Sequence, residues 1–412
     1  MPFGRQSGRT LVKRNNLTIV PLPMSGNINI SPIRELAPRE TVDVVARTGY
    51  LPKLDGLRGV SIVLVLVHHF LSSQIGTGGI GVTIFFVLSG YLITSILIGY
   101  SDAMPLSVAA VTFFWRRILR LFPAYYLSIA AAALFGLGGM RETWWVNALY
   151  LSNFKVALDG TFGGAGHFWS LSVEEQFYLL WFFVVVAVPR RFLLPIIILS
   201  LIGTIAFRWA AYLFHETDLS YVLLPGSMGS LAAGALLAYV LKYHPQNRAF
   251  GAFLKARMCL FVVCVMAIAA SVYFDQVLIW NITYPAAPLL AACLVTAAID
   301  RAPNWRTDWL ANPVATHIGK ISYGIYVYHY FVPQVIDRYT HLPWLHSYTA
   351  TAVVRFVMFS AVSVAVAELS WHLVERPILR LKPLTPSMQS GRSATQPGQQ
   401  AQLNSSLGTF AS

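Results

Sequence analysis

The chain is poor in charge. Only 11% of its 412 residues are Asp, Glu, Lys or Arg, against roughly a quarter in an ordinary soluble domain. With 56% hydrophobic residues and a mean hydropathy of +0.58, that scarcity excludes a soluble globular class. Cysteine is nearly missing. Cys259, Cys264 and Cys293 lie in or beside apolar runs; they have no metal-ligand spacing and form no disulfide framework. They read as small buried hydrophobes. There is no His-Glu-x-x-His helix, no P-loop and no GxGxxG turn, so neither a metal nor a tightly bound cofactor is expected. The early basic residues are not followed by an apolar core, which excludes a secretory signal peptide.

What is abundant is apolar sequence in runs of about 20 residues, enough to span a hydrocarbon core. The expected fold is an all-α polytopic membrane protein of about ten transmembrane helices, near 59–75, 79–99, 118–137, 168–188, 192–211, 222–241, 258–274, 285–300, 318–334 and 350–373. Ten spans return both termini to one side. On that assignment the terminal side carries 25 of the 30 Lys and Arg residues, so both termini are placed in the cytoplasm. The same distribution argues against nucleic acid, since the basic residues separate apolar runs and form no single patch. Residues 1–50 read as a basic, disordered cytoplasmic tail, 51–382 as the membrane domain, and 383–412 as a second disordered tail. In the longest opposite-side loop, about 138–167, and just after it, Trp144, Trp145 and Trp169 suit an interfacial aromatic belt.

Chemistry-bearing residues interrupt the apolar runs. "LDGLRGVSIVLVLVHHF", residues 54–70, puts Arg58 eleven positions before His69. In an unbroken α-helix that is about three turns and about 16 Å, with both residues on one face. Arg58 then stands at the cytoplasmic mouth and His69 near the midplane. An ionisable group at that depth is costly and marks a functional site. A neutral imidazole there can act as general base; the alternative is a packing hydrogen bond to a neighbouring helix. His68 faces elsewhere and reads as structural.

"FFWRRILRLFPAYY", residues 113–126, sets Arg116, Arg117 and Arg120 at the start of a span, with Arg117 and Arg120 on one face. Guanidinium pairs there either anchor lipid headgroups or bind phosphates bidentately. "GHFWSLSVEEQFYLLWF", residues 166–182, offers His167, Ser170, Ser172, Glu174, Glu175 and Gln176 at a span entrance. Glu174 and Glu175 point to different faces, so at most one lines a given cavity. A polar helix start, with Ser170 or Ser172 as N-cap, is the plainer reading. "ISYGIYVYHYFVP", residues 321–333, adds His329 and its neighbour Tyr328. "AELSWHLVERPILRLK", residues 367–382, adds Glu368, His372 and Glu375, with Pro377 expected to end the helix and Glu375–Arg376 to anchor it at the interface.

Taken in order, "LDGLRGVSIVLVLVHHF", "GVTIFFVLSGYLIT", "FWRRILRLFPAYYL", "HFWSLSVEEQFYLLW", "ISYGIYVYHYF" and "VERPILR" resemble the integral-membrane acyltransferase-3 family over about residues 50–382. The resemblance implies an O-acyltransferase moving an acyl group, usually acetyl, from cytoplasmic acyl-CoA to an extracytoplasmic or lipid-linked carbohydrate in a bacterial cytoplasmic membrane. It places the family's Arg-x10-His pattern on Arg58 and His69, and its Arg-x-x-Arg on Arg117 and Arg120. On this reading acyl-CoA phosphates meet Arg58, Arg117 and Arg120, aided by Arg116. His69 deprotonates the acceptor or carries the acyl group, and Glu174 or Glu175 orients the imidazole or binds sugar. Asp55, His167, Ser170, Ser172, Tyr328, His329 and Glu375 are assigned to substrate binding or structure. Gly59 stands where Ala is commoner in the family, and Tyr330 where Trp is frequent. No hydrolase-like stretch follows the last span, so transfer is expected to finish without an appended domain. The rival expectation is a multi-span transporter or flippase for a lipid-linked or anionic substrate, and a third is an inactive binding scaffold. Acceptor identity, acyl length and oligomeric state are not legible.

Overall fold

A computed structural model of the chain describes residues 50–71, 76–215, 217–271, 276–340 and 350–381. The two expected tails lie outside the described residues, apart from Tyr50. Among the described residues the fold is helical throughout, without strands. In chain order the helices are α1 (Pro52–Leu66), α2 (Thr77–Ala103), α3 (Leu106–Phe135), α4 (Met140–Ala148), α5 (Ser152–Asp159), α6 (Phe168–Val186), α7 (Leu193–Leu213), α8 (Thr217–Val222), α9 (Leu224–Tyr243), α10 (Arg248–Ser271), α11 (Gln276–Ile299), α12 (Trp305–Asp308), α13 (Pro313–Tyr328), α14 (Val332–Thr340), α15 (Ala350–Ser370) and α16 (Arg376–Leu379). Single π-turns follow α1 at Val67–Leu71 and α15 at Trp371–Glu375.

Seven described helical stretches are long and apolar enough to cross a membrane, so the chain is a multi-pass membrane protein. Helices also stand at the three remaining expected places, but the apolar run of α6 is interrupted by Glu174, Glu175 and Gln176, α13 has only 16 residues, and the apolar part of α11 is Pro285–Ile299. The spans divide by burial. In the apolar stretches containing α1, α2 and α9, 56%, 61% and 56% of residues are buried; the figure is 17% for those of α7 and α15 and 11% for α10. The first three are therefore the inner wall and the others face outward.

Several boundaries differ from the expectation. Helix α1 begins at Pro52, so Asp55 and Arg58 lie inside it; proline suits the first turn, where its missing N–H is not needed. Helix α3 begins twelve residues before position 118. Arg116, Arg117 and Arg120 consequently sit mid-helix and not at a helix start, because nothing in "LSVAAVTFFW" breaks the helix. Pro377 does not end the last helix. It occupies the first turn of α16, after the π-turn has already broken the ladder. The 138–167 loop contains α4 and α5, and Trp169 is not in a belt: it is 5% exposed and packs on Phe86 and Tyr221, while Trp144 and Trp145 are exposed.

Close backbone approach holds the inner wall together. A Cβ at Gly319 of α13 would overlap the Asp55 carbonyl of α1, and one at Gly234 of α9 would overlap the Val87 carbonyl of α2. Small residues permit such contact where no hydrophobic driving force separates helix from lipid. Lys53 bridges Asp308 at 2.7 Å and Arg257 bridges Asp300 at 2.8 Å, tying α1 and α10 to the 300–308 segment. The hydrogen bond from Lys53 holds the Asp308 carboxyl below its usual range. Gly319→Val is expected to destabilise the α1–α13 contact by about 1–3 kcal/mol or more, as overpacking does. A lowered melting midpoint and a smaller monodisperse peak in detergent would show it; unchanged behaviour would refute the close-approach argument.

Candidate active site

The arginines open the site. Arg58, Arg117 and Arg120 line one cleft of ≈ 90 Å³ with Glu174, Ser89, Tyr178, Ser170 and Tyr326. Asp55 holds Arg58 in place from one turn earlier, at 2.6 Å. Arg117 lies over the rings of Phe113 and Tyr178, 5.6 and 5.4 Å from their centroids, which fixes a guanidinium without neutralising it. Opposite them, the Ser89 hydroxyl donates to Glu174 at 2.6 Å, and Tyr178 donates to Ser89 at 3.4 Å. The cleft thus joins fixed cations to one carboxylate.

At its inner end the Ser170 and Tyr326 hydroxyls lie 2.5 Å apart, one donating to the other, and both stand within reach of the His167 carbonyl, at 3.2 and 3.1 Å, which accepts from the hydroxyl whose hydrogen is not used between them. Neither Ser170 nor Ser172 is an N-cap. Both lie within the first turns of α6, where Ser170 bonds the i−3 carbonyl and Ser172 the i−4 carbonyl and Ser152 across the loop. Beyond this pair stand three imidazoles. His329 has its ring centroid 4.9 Å from His69, 5.2 Å from His167 and 5.5 Å from the Tyr326 ring.

Backbone carbonyls assign the protons on these rings. A carbonyl oxygen only accepts, so a ring nitrogen facing one carries hydrogen, and the other nitrogen of a neutral imidazole holds the lone pair. His329 Nδ1 lies 2.7 Å from the Tyr326 carbonyl, which leaves its Nε2 as an acceptor. His69 Nδ1 lies 3.0 Å from the Val65 carbonyl and 3.3 Å from that His329 nitrogen, so one N–H is shared between two acceptors. His69 Nε2 is then the lone-pair nitrogen. It makes no hydrogen bond among the described residues, and the side chain is exposed. His167 donates from Nε2 to the Val327 carbonyl at 3.1 Å, leaving its buried Nδ1 without a partner.

The π-turn matters here. The three-turn count from Arg58 to His69 assumed an unbroken α-helix, and the ladder changes to i→i+5 at Val67–Leu71. Arg58 lines the cleft; His69 does not. The two are connected through Ser170, Tyr326 and His329.

Five expected site residues lie elsewhere. Arg116 is exposed and donates to Tyr100 at 3.0 Å. Glu175 is on the other face of α6, among Tyr125, Tyr126, Tyr150 and Tyr323. Ser172 ties α6 to α5. Tyr328 bonds Ser370 at 2.8 Å, and Ser370 donates to Glu375 at 3.0 Å, joining α13 to α15. Glu375 is 4% exposed, so it is an internal tie and not an interfacial anchor. Ser89, Tyr178 and Tyr326 had no role assigned from sequence; Tyr178 sits one turn after Glu174, which is the one local signal that marks it.

The known proteins agree with this arrangement at the level of family. The chain is 28% identical to the peptidoglycan O-acetyltransferase OatA of Listeria monocytogenes over 80% of its own length and 56% of that protein's. It is 31% identical to YrhL of Bacillus subtilis, covering 80% of this chain and 55% of YrhL. It is 25% identical to the O-acetyltransferase OatA of Staphylococcus aureus, covering 80% and 57%. The chain therefore spans little more than half the length of these relatives. No solved structure matches it. The family model described as an acyltransferase domain matches residues 51–370, most of the helical unit and all of the arginine cleft and the three histidines, and the chain belongs to the acyltransferase-3 family.

Proposed function

We propose that the chain is a membrane O-acyltransferase that moves an acetyl group from cytoplasmic acetyl-CoA to a hydroxyl of an extracytoplasmic or lipid-linked carbohydrate. The observation that carries the reading is His69: its Nδ1–H is engaged and its Nε2 is open, at the far end of a polar column that begins at Arg58, Arg117 and Arg120. The O-acetyltransferase names of the relatives support the reaction class. The accompanying topology is ten spans with both termini cytoplasmic, in a bacterial cytoplasmic membrane. The arginines then face the donor's side and the histidines the acceptor's.

The arginines hold the donor's phosphates through paired N–H bonds. The cleft, at ≈ 90 Å³, is smaller than the roughly 300 Å³ of a small-molecule pocket. It suits the narrow acyl-pantetheine arm with the phosphates at its mouth, while the adenosine stays outside. His69 Nε2 takes the acceptor's hydroxyl proton as the oxygen attacks the thioester carbonyl. The C–S bond breaks, the new ester leaves with the acceptor, and the thiolate recovers the proton from the imidazolium as free CoA. His329 stabilises the imidazolium by accepting its Nδ1–H. Glu174 lies on the donor side of this path, where it orients the arginines and Ser89.

His329→Leu removes the acceptor for that N–H and is expected to lower kcat by about 10–100-fold with KM for acetyl-CoA unchanged. His329→Gln, whose amide oxygen accepts, restores part of it. Equal losses in both variants would place His329 in packing alone. The overall reading is tested with membranes, labelled acetyl-CoA and a panel of glycans. The enzyme releases CoA only when acceptor is present. A transporter moves substrate unchanged without CoA release, and a scaffold binds acetyl-CoA without turnover; either result overturns the proposal.

A further inference from the structure

The open nitrogen of His69 limits what else can touch the acceptor. A hydroxyl that gives its proton to Nε2 lies within about 3.2 Å of it. The rest of the acceptor must therefore rest on side chains that border the imidazole. One of these, His329, is fully buried, with its ring centroid 4.9 Å from that of His69. His68 and Tyr330 are half-buried and stand edge-on to His69, at 5.0 and 5.3 Å with interplanar angles of 81° and 84°. Neither of these two takes part in the proton transfer described above.

Tyr330 is held from two sides. Its ring stacks on His167 at 4.8 Å and 21°, and its hydroxyl donates to the Gly163 carbonyl at 3.4 Å. Four residues on, Gln334 Nε2 donates to the Gly164 carbonyl at 2.8 Å and back to the Tyr330 carbonyl at 3.0 Å. The ring and the 163–164 segment are thus fixed together. His68 is fixed by packing instead. A Cβ at Gly78 of α2 would come within 2.7 Å of His68 Cδ2, so the glycine lets the imidazole lie against the helix. His68 Nδ1 is sealed from solvent and has no hydrogen-bond partner. No carbonyl fixes its tautomer, in contrast to His69, His167 and His329. Its other nitrogen can therefore donate to a hydroxyl or accept from one.

We infer that Tyr330 and His68 form the acceptor subsite and that it takes one pyranose ring. The exposed part of the Tyr330 ring carries the apolar C–H face of the sugar, and His68 bonds the hydroxyl next to the one that is acylated. A pyranose supplies both features at once. An alkyl chain would leave the His68 nitrogen without a partner, and a small anion gains nothing from a ring whose face is negative. The placement of an acceptor at His69 rests on the acyl-transfer reading above; the sugar contacts are measured without it.

The test is saturation-transfer NMR on the full chain in nanodiscs, without acetyl-CoA, using methyl hexopyranosides and their monodeoxy analogues as probes. At least one glycoside is expected to take saturation chiefly through the protons of one face. Tyr330→Ala should weaken its binding about tenfold, and Tyr330→Trp should hold it within about threefold. Loss of one particular ring hydroxyl should weaken binding to the wild type about fivefold, the scale of one hydrogen bond. His68→Leu should bind the parent and that deoxy sugar alike, a ratio that does not depend on how much of the variant folds. The inference is overturned if no glycoside takes saturation from the wild type, or if His68→Leu leaves the parent-to-deoxy ratio unchanged. Binding that Tyr330→Ala leaves within about twofold of the wild type overturns it too. A chain that binds the sugar in this way yet releases no CoA refutes the transfer reading alone.

Discussion

Replacement of His69 by alanine is expected to slow acetyl transfer by about 10²–10⁴-fold, the usual contribution of a positioned general base, with KM for acetyl-CoA within about twofold of wild type. The selective loss follows from the geometry. Arg58, Arg117 and Arg120 line a separate cleft, so donor binding is untouched by a change at 69. The side chain is exposed where it packs against the rings of His68, His329 and Tyr330, so truncation opens no sealed core cavity. Insertion and yield should match wild type. His69→Gln should be equally slow, since an amide has no basic nitrogen. Imidazole added to His69→Gly protein should restore part of the rate. A His69→Ala protein that inserts normally and transfers within about threefold of wild type would remove the residue from the chemistry.

The same residue shows how far the sequence could be read. His69 stood out because an ionisable side chain in an apolar run has few innocent explanations. The three-turn count that paired it with Arg58 assumed an unbroken α-helix, whereas the register changes at Val67–Leu71, a change that no side-chain pattern announces. The cleft arginines were legible as a charge interruption at i,i+3. Arg116 was not separable from them by sequence. Its neighbour Tyr100 lies 16 residues away, on another helix. Glu174 and Glu175 were correctly expected to part company, yet which one met the cleft depended on where Ser89 of α2 falls. The His69–His329 contact joins residues 260 apart and comes from tertiary packing alone. Gly59, where the family more often has Ala, is another case. A Cβ there would come within 2.7 Å of the Ala315 carbonyl, so this chain has brought α1 and α13 closer than an alanine would comfortably allow.

The second large effect is expected at the arginines, and it should fall on donor affinity. Arg117→Ala and Arg120→Ala are each expected to raise KM for acetyl-CoA by about 10–100-fold while changing kcat little, since a charge-assisted phosphate contact is worth about 1.5–3 kcal/mol and is made before the chemical step. Lysine should recover only part of the loss, because it is a point charge without the planar fork that meets two phosphate oxygens. Arg117 gives up its contacts with the Phe113 and Tyr178 rings as well, so Arg117→Lys should be the poorer of the two lysine variants. Arg116→Ala should stay within about twofold of wild type, because its guanidinium is exposed and bonded to Tyr100 outside the cleft. Acetyl-pantetheine, a donor without a nucleotide, decides what the cations bind. If they hold phosphate, the alanine variants and wild type should use it with nearly equal KM. If the penalty persists undiminished on that donor, the arginines shape the cleft or steer Glu174, and their assignment to the nucleotide fails.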